Sequence, residues 1–310
     1  VVWDRSLKIK APKLGRDSRI LKVSGGENLK TLRSLEKLLK SIQKLPFDVL
    51  GFVSVGGGTV SDTVGFLASV YKRGRPVIHV PTTPLAALDS VHGGKTALNL
   101  GLTKNLLGTF WEADQVWLLD FVLESAPETL FEDAFSELLK MALLSSESSV
   151  EKLCDPKEAL PSLFLANMSY MIHQKRAIVA LDPLEKRGLR RILNLGHTLA
   201  HVLELHRGLS HGRAVGLGLR FALRWSEVLC GLNPKWIDLC EEVLALRQPH
   251  CEFEPIDAKS FVATLSQDKK RAGSRIQEVF LSAPGEPVLL DVSIQSFLEM
   301  GQRMGWVRGT

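Results

Sequence analysis

Residues 194–211 read NLGHTLAHVLELHRGLSH, and three of their histidines are spaced for chemistry. His197 and His201 are four apart, so a helix through them projects both rings from one face, one turn apart. His211 follows a Gly-containing break, where a turn can bring it back toward the other two. Neutral imidazole is a ready ligand for a divalent cation and, near pH 7, a carrier of protons. In a chain with Gly-rich and Lys-rich segments far upstream, three converging imidazoles point to a metal site serving an anionic ligand. The same spacing also suits histidines satisfied in a core or lying on the surface, and the order is not a standard zinc-binding pattern.

Residues 53–66, VSVGGGTVSDTVGF, place three glycines after an apolar run and before a helical pattern. Such a turn lets a backbone approach a pyrophosphate, with helix N-terminal N–H groups behind it. Glycines there are equally a tight-turn device, and GxGxxG is not formed, so the standard dinucleotide fingerprint is not expected. Residues 81–105, PTTPLAALDSVHGGKTALNLGLTKN, add hydroxyls at Thr82 and Thr83 and charges at Asp89, Lys95 and Lys104, with Asn105 beside them. They read either as a solvated loop or, because the segment is otherwise apolar, as polar groups facing a cleft. A buried lysine there would stabilise negative charge. In FSELLKMA, Glu137 and Lys140 are three apart on one helical face, the ordinary spacing of a surface ion pair.

These groups need elements to hold them. Residues 29–44 carry apolar side chains at helical spacing with a charged outer face. Residues 49–55 and 76–80 are short continuous apolar runs, the pattern of strands buried on both faces, and 62–72 reads as a helix between them. Strand, glycines, helix and strand make a βαβ unit of a parallel sheet. Residues 116–119 add a further strand, whereas Val1 and Val2 are too brief to show a full one. Beyond Pro127 the pattern turns helical at 128–151, 161–181, 194–204, 213–230 and 233–246, with a short hairpin at 277–290. The expected architecture is an α/β domain over residues 1–126 followed by an all-helical domain over 127–310.

The 310-residue chain is long enough for two domains, and 45% hydrophobic with 24% charged residues is the composition of a soluble globular protein. No window approaches the roughly 18 apolar residues of a membrane span, and the start lacks the order of a signal peptide. Cys154, Cys230, Cys240 and Cys251 show no CxxC spacing, so neither a disulfide framework nor a Cys-zinc site is expected, and a reducing cytoplasm fits. The net charge of +5 is spread without aromatic interleaving, which argues against nucleic acid and for phosphorylated small molecules.

Taken in order, the segments GGENLK (25–30), GGGTVSDTVGF (56–66), RG (73–74), PTTPLAALDSVHGGKTALN (81–99), KNLLGTF (104–110), SELLK (136–140), GLRRILNLGHTLAHVLE (188–204), HGRAVGLGL (211–219) and DKK (268–270) resemble the 3-dehydroquinate synthases of the sugar-phosphate cyclase family. The resemblance spans nearly the whole chain. It implies an NAD-binding α/β domain, then a helical domain binding metal and substrate, in a cytoplasmic homodimer. It also implies a divalent metal, zinc or cobalt, on Glu137, His197 and His211, a set that leaves positions open for substrate oxygens. NAD contacts would come from Asp4, Glu27, Lys30, Gly57, Gly58, Asp62, Thr82, Thr83, Lys95, Lys104 and Ser125.

The implied reaction converts 3-deoxy-arabino-heptulosonate 7-phosphate to 3-dehydroquinate and phosphate, a step of the shikimate pathway to aromatic amino acids. Oxidation, phosphate loss, re-reduction and aldol closure leave no net redox change. By the same resemblance, Asp89, Lys95 and Lys140 polarise the reacting hydroxyls. Lys95, Asn105, Asn194, Lys269 or Lys270, and Arg73 from a second subunit surround the phosphate. Lys175 and Arg190 take the carboxylate, a task suited to the arginine fork, and His201 handles a proton near the leaving phosphate.

Family chains carry roughly forty further residues ahead of the point matching Val1, so the first strands of the sheet are expected to be missing here. Arg213 stands in HGRAV where the family commonly has Glu, Ala200 replaces a Gly, Ser136 an Ala and Ser125 a Thr. The segment 182–190, with Glu185, is one residue longer than usual. None of these removes an implied ligand. The competing readings are another sugar-phosphate cyclase, a metal-dependent polyol dehydrogenase, and a non-catalytic homologue acting as a binding subunit.

Overall fold

The computed structural model describes residues 1–10, 12–13, 15, 17–46, 48–101, 103–249, 254–266, 271–272 and 275–309. It divides into two compact units, Val1–Phe131 and Glu132–Thr310.

The first unit contains strands β1 (Val2–Asp4) and β2 (Leu21–Val23), helix α1 (Leu32–Gln43), β3 (Phe52–Gly56), α2 (Gly58–Val70), β4 (Val77–Pro81), α3 (Pro84–Leu88), β5 (Lys95–Leu100), β6 (Thr103–Phe110), β7 (Gln115–Val116) and α4 (Asp120–Glu124). Five strands form one sheet in the order β2-β1-β3-β4-β7, and every pairing is parallel. The buried runs expected at 49–55 and 76–80 are its two central strands, β3 and β4. Helix α2 starts at Gly58 rather than 62 because Val60, Val64, Leu67 and Ala68 already recur at helical spacing, and all four are fully buried. They pack with Val2, Phe52, Val77 and Leu98 into the core of this unit. The opening residues, too short to read as a strand, pair on both sides as β1.

Residues 95–110 differ from the loop considered above. They fold as an antiparallel hairpin in register from Lys95↔Phe110 to Leu98↔Leu107, with Thr96 and Leu98 turned inward between outward neighbours. That period-2 alternation is what strands require, and the charged residues hid it. Upstream, Thr83 caps α3 by accepting from Ala86 N at 3.3 Å, with Pro84 opening the helix.

The unit boundary falls inside α5 (Glu128–Leu143). The second unit continues with α6 (Glu147–Leu153), α7 (Leu160–Leu181), α8 (His197–Arg207), α9 (His211–Cys230), α10 (Pro234–Arg247), β8 (Ile256–Asp257), α11 (Ala258–Ser266), β9 (Arg271–Ala272), β10 (Arg275–Ala283), β11 (Glu286–Ser293), α12 (Ile294–Arg303) and β12 (Val307–Arg308). The single helix expected over 128–151 is two, because Ser146 accepts from Ser149 N at 3.2 Å and caps a new start. The helix expected at 194–204 begins at His197, after a 3-10 turn over Leu189–Asn194. This unit is mostly helical, but the hairpin foreseen at 277–290 is longer and gains β9 as a third strand. Its apolar run, Val279 to Leu281, is buried, and Phe280 meets Trp225 of α9, which also packs on Phe297 of α12. Aromatic contacts thus hold the sheet to the helices. Cys154, Cys230 and Cys240 are free thiols, while Cys251 lies outside the described residues.

Candidate metal centre and cofactor-binding residues

Three helices of the second unit supply one cluster. Glu137 lies in the middle of α5, His197 opens α8 and His211 opens α9. The two imidazoles aim the same nitrogen at one carboxylate oxygen: Nε2 of His197 is 3.1 Å, and Nε2 of His211 3.3 Å, from Glu137 Oε1. Their ligand atoms all lie within 4.8 Å of one another. Close approach of α9 to α5 makes this possible. A Cβ on Gly212 would sit 1.4 Å from the Asp133 carbonyl oxygen, so only glycine fits beside His211. Ser210, just ahead, hydrogen-bonds the Asp133 carboxylate and pins the same junction.

The other ring nitrogens are already used. His197 Nδ1 is 3.1 Å from the Leu195 carbonyl oxygen, and His211 Nδ1 is 2.8 Å from Glu204 Oε1. A carbonyl and a carboxylate can only accept, so each Nδ1 carries a hydrogen, and each ring in its neutral form turns an Nε2 lone pair toward Glu137. Two lone pairs facing a carboxylate oxygen repel unless positive charge lies between them, so the donor set fits a divalent cation.

The electrostatics agree. Burial pushes the Glu137 carboxyl up, but Lys140 first, then His197 and His211, outweigh it and hold the group well below the usual carboxylate range. Lys140 Nζ is 2.5 Å from Glu137 Oε2, leaving Oε1 to the histidines. Burial, then the Lys140 charge, lowers His197 and keeps it neutral at pH 7. Burial would lower His211 too, yet hydrogen bonds to Glu137 and Glu204 raise it to about 10. The cluster therefore favours a positive charge between these groups, which is the place a metal takes by displacing protons. Carboxylate and imidazole donors suit zinc and other first-row divalent ions.

Lys175 on α7 and Arg190 in the 3-10 turn are both buried, and Arg190 Nη1 donates to the Pro183 carbonyl at 2.9 Å. Asn194 is half-buried at the end of that turn. His201 is exposed, its ring centroid 6.0 Å from that of His197. Lys269 and Lys270 lie outside the described residues.

In the first unit a second polar network forms. Lys30 Nζ donates to Asp62 Oδ2 at 2.5 Å and to Asn105 Oδ1 at 2.6 Å. Burial holds the Asp62 carboxyl above the usual range, even though the Lys30 charge pulls it down. Asn99 links the neighbours, donating to Glu27 Oε2 at 2.7 Å and accepting from Asn105 N at 2.9 Å. Asp4 ends β1 and accepts from Ser6 and from Gly25 N. Gly57 and Gly58 open the 13-residue α2, whose first N–H groups lack partners within the helix, as an anion site requires.

The sequence profile of the 3-dehydroquinate synthase N-terminal domain matches residues 20–133, and that of its C-terminal domain matches 134–271. The chain belongs to the 3-dehydroquinate synthase family. A 3-dehydroquinate synthase of Bacillus pumilus is 36% identical over 275 residues, covering 86% of this chain and 75% of that one. Among solved structures, a 2-deoxy-scyllo-inosose synthase complexed with carbaglucose-6-phosphate, NAD+ and Co2+ is 27% identical, with a TM-score of 0.79 over 91% of this chain and 82% of that chain. The 2-epi-5-epi-valiolone synthase of Streptomyces hygroscopicus, solved with NAD+ and Zn2+, shares the fold at 19% identity and a TM-score of 0.77, covering 92% and 83%.

For this member of the family, the structure brings together Glu137, His197, His211 and Lys140, and separately Lys30, Asp62 and Asn105. Thr82 is buried at the end of β4, and Thr83 spends its hydroxyl on the α3 cap. Asp89 is half-buried beyond α3, and Lys95 and Lys104 lie exposed on the hairpin. Arg73 is exposed at φ +67, and the Ser125 hydroxyl donates to the Val122 carbonyl at 2.7 Å. Reading from residue types missed two roles. Asn99 sat within a quoted motif without an assignment, and Glu204 and His211 stand on different helices, α8 ending between them at Gly208, so helical spacing does not pair them.

Proposed function

We propose that this chain converts 3-deoxy-arabino-heptulosonate 7-phosphate to 3-dehydroquinate and phosphate, as an NAD- and divalent-metal-dependent lyase of the shikimate pathway. One observation carries the reading beyond family membership. Two imidazole Nε2 atoms and one buried carboxylate oxygen converge on a point that calls for positive charge, which a divalent metal supplies in place of a proton. Bound at Glu137, His197 and His211, a zinc or cobalt ion supplies Lewis acidity toward a substrate oxygen, and NAD supplies reversible hydride transfer.

The chain's own groups do the rest. Lys140 neutralises the second carboxylate oxygen of Glu137 and places a buried ammonium beside the reacting hydroxyls. Lys175 and Arg190, buried cations, suit a substrate carboxylate. Asn194 and His201, with Lys269, attend the phosphate, and the exposed His201 ring, which is not one of the three metal-set residues, passes a proton. In the first unit Asp4, Glu27, Lys30, Gly57, Gly58, Asp62, Thr82, Thr83, Lys104 and Ser125 hold NAD, while Asp89, Lys95, Asn105 and Arg73 serve the substrate. Arg73 does so for a second copy of the chain, which makes the working form a homodimer. Among the described residues no helix is long and apolar enough to cross a membrane, and we assign the protein to the cytoplasm.

The test is phosphate release from the purified chain given the heptulosonate phosphate, NAD and zinc, with NADH absorbance followed in parallel. Phosphate release without lasting NADH, lost with chelator and in His197→Ala, is the expected result. Release only from a seven-carbon sugar phosphate lacking the carboxylate would replace this reading with another cyclase. Stoichiometric NADH would replace it with a dehydrogenase.

A further inference from the structure

His211 is held at both ring nitrogens. On one side Nε2 faces Glu137, and on the other Nδ1 lies 2.8 Å from Glu204 Oε1. Glu204 belongs to the last turn of α8. From there the chain leaves the helix through Gly208 at φ +62 and re-enters one at His211, so the turn folds the carboxylate back onto the imidazole. The Glu204 side chain is only 13% exposed, which shields the bond from water.

Local preference opposes a glutamate there. The carbonyl end of a helix repels negative charge by a few tenths of a kcal/mol or more, and removing a carboxylate from water costs further. A residue placed against its local rule points to a demand made elsewhere. Here the demand is visible, since the carboxylate accepts the Nδ1 hydrogen of a ligand candidate. His197 is served differently, by the neutral Leu195 carbonyl.

We infer that Glu204 is a positioning residue of the metal centre. It fixes the His211 tautomer with Nε2 turned toward Glu137, locks the ring's orientation, and makes that nitrogen the more basic of the two imidazole donors. The inference rests on reading Glu137, His197 and His211 as a divalent-metal site. A carboxylate that only tied α8 to α9 would contribute to fold stability and leave metal affinity alone.

The experiment uses the full chain and zinc itself. Zinc affinity is measured by competition with a chromophoric chelator, and the visible absorption of the cobalt-loaded protein reports ligand geometry. Urea unfolding in chelator gives the metal-free stability of each variant. Glu204→Gln keeps a neutral acceptor and is expected to weaken zinc about tenfold, and Glu204→Ala about 10- to 100-fold, with an altered cobalt spectrum. Should the alanine variant fail to fold, the glutamine variant carries the test. If the wild type binds zinc and the folded variants bind it within twofold with an unchanged cobalt spectrum, Glu204 has no role at the metal. A wild type that binds neither zinc nor cobalt overturns the metal reading itself, and this inference with it.

Discussion

Gly212→Ala sets two physical rules against each other. Residue 212 lies in the first turn of α9, and in an isolated helix alanine is better than glycine by about 1 kcal/mol. Propensity alone therefore expects a more stable protein. The structure expects the opposite. The new Cβ would lie 1.4 Å from the Asp133 carbonyl oxygen and 2.4 Å from its carbonyl carbon, whereas ordinary contact begins at 3.4 Å. The obstacle is backbone, so α5 and α9 must part by about 2 Å, and overpacking of this kind costs about 1–3 kcal/mol or more. We expect a net loss of about 3 kcal/mol, because no rotamer change can relieve the clash. Metal ligands tolerate only about 0.2 Å of error, so separating His211 from Glu137 is also expected to weaken zinc by at least about tenfold. Urea unfolding in chelator measures the first effect, and chelator competition the second. Gly208→Ala is the control: it has open space within 4 Å but a φ of +62, so it pays only the left-handed backbone cost of about 1 kcal/mol. A Gly212→Ala protein as stable as the wild type would refute the close packing of α5 and α9 from which the cluster is built.

Two other buried groups offer tests in the first unit. His79 on β4 is hydrogen-bonded to Ser54 at 2.6 Å, and burial, then the charge of His92, lowers it to about 4. Its neutral form is the folded one, so this contribution is complete above pH 6.5 and is lost as pH falls from 6.5 toward 4. At about 1.4 kcal/mol per pH unit the loss reaches about 3 kcal/mol, and urea unfolding across that range should show it in the wild type and not in His79→Gln. Equal pH slopes in the two proteins would mean that His79 titrates normally. Lys30→Ala removes a buried ammonium and strips the half-buried Asp62 and the exposed Asn105 of their shared donor. It is expected to cost about 2–3 kcal/mol of stability and to weaken NAD binding measured by calorimetry, with Asp62→Asn in the same chain restoring part of the stability. A Lys30→Ala protein that unfolds like the wild type would show that Asp62 reaches water without its partner.

Much of this protein was legible from residue order. The short, mostly apolar runs of β3 and β4, with glycines between β3 and α2, announce a parallel βαβ core, because a strand covered on both faces does not alternate apolar with solvent-facing residues. The hairpin of β5 and β6 was less legible, since Lys95, Lys104 and Asn105 broke an alternation that becomes plain only once Thr96 and Leu98 are seen to point inward. Spacing along the chain also grouped His197 with His201, one turn apart on α8. Tertiary structure groups His197 instead with Glu137 from α5 and His211 from α9, and leaves His201 exposed. Periodicity reports only which residues share a face of one helix. Which faces meet is decided where helices cross, and here that is Gly212, whose missing side chain lets α9 touch the α5 backbone and sets two imidazoles against one buried carboxylate.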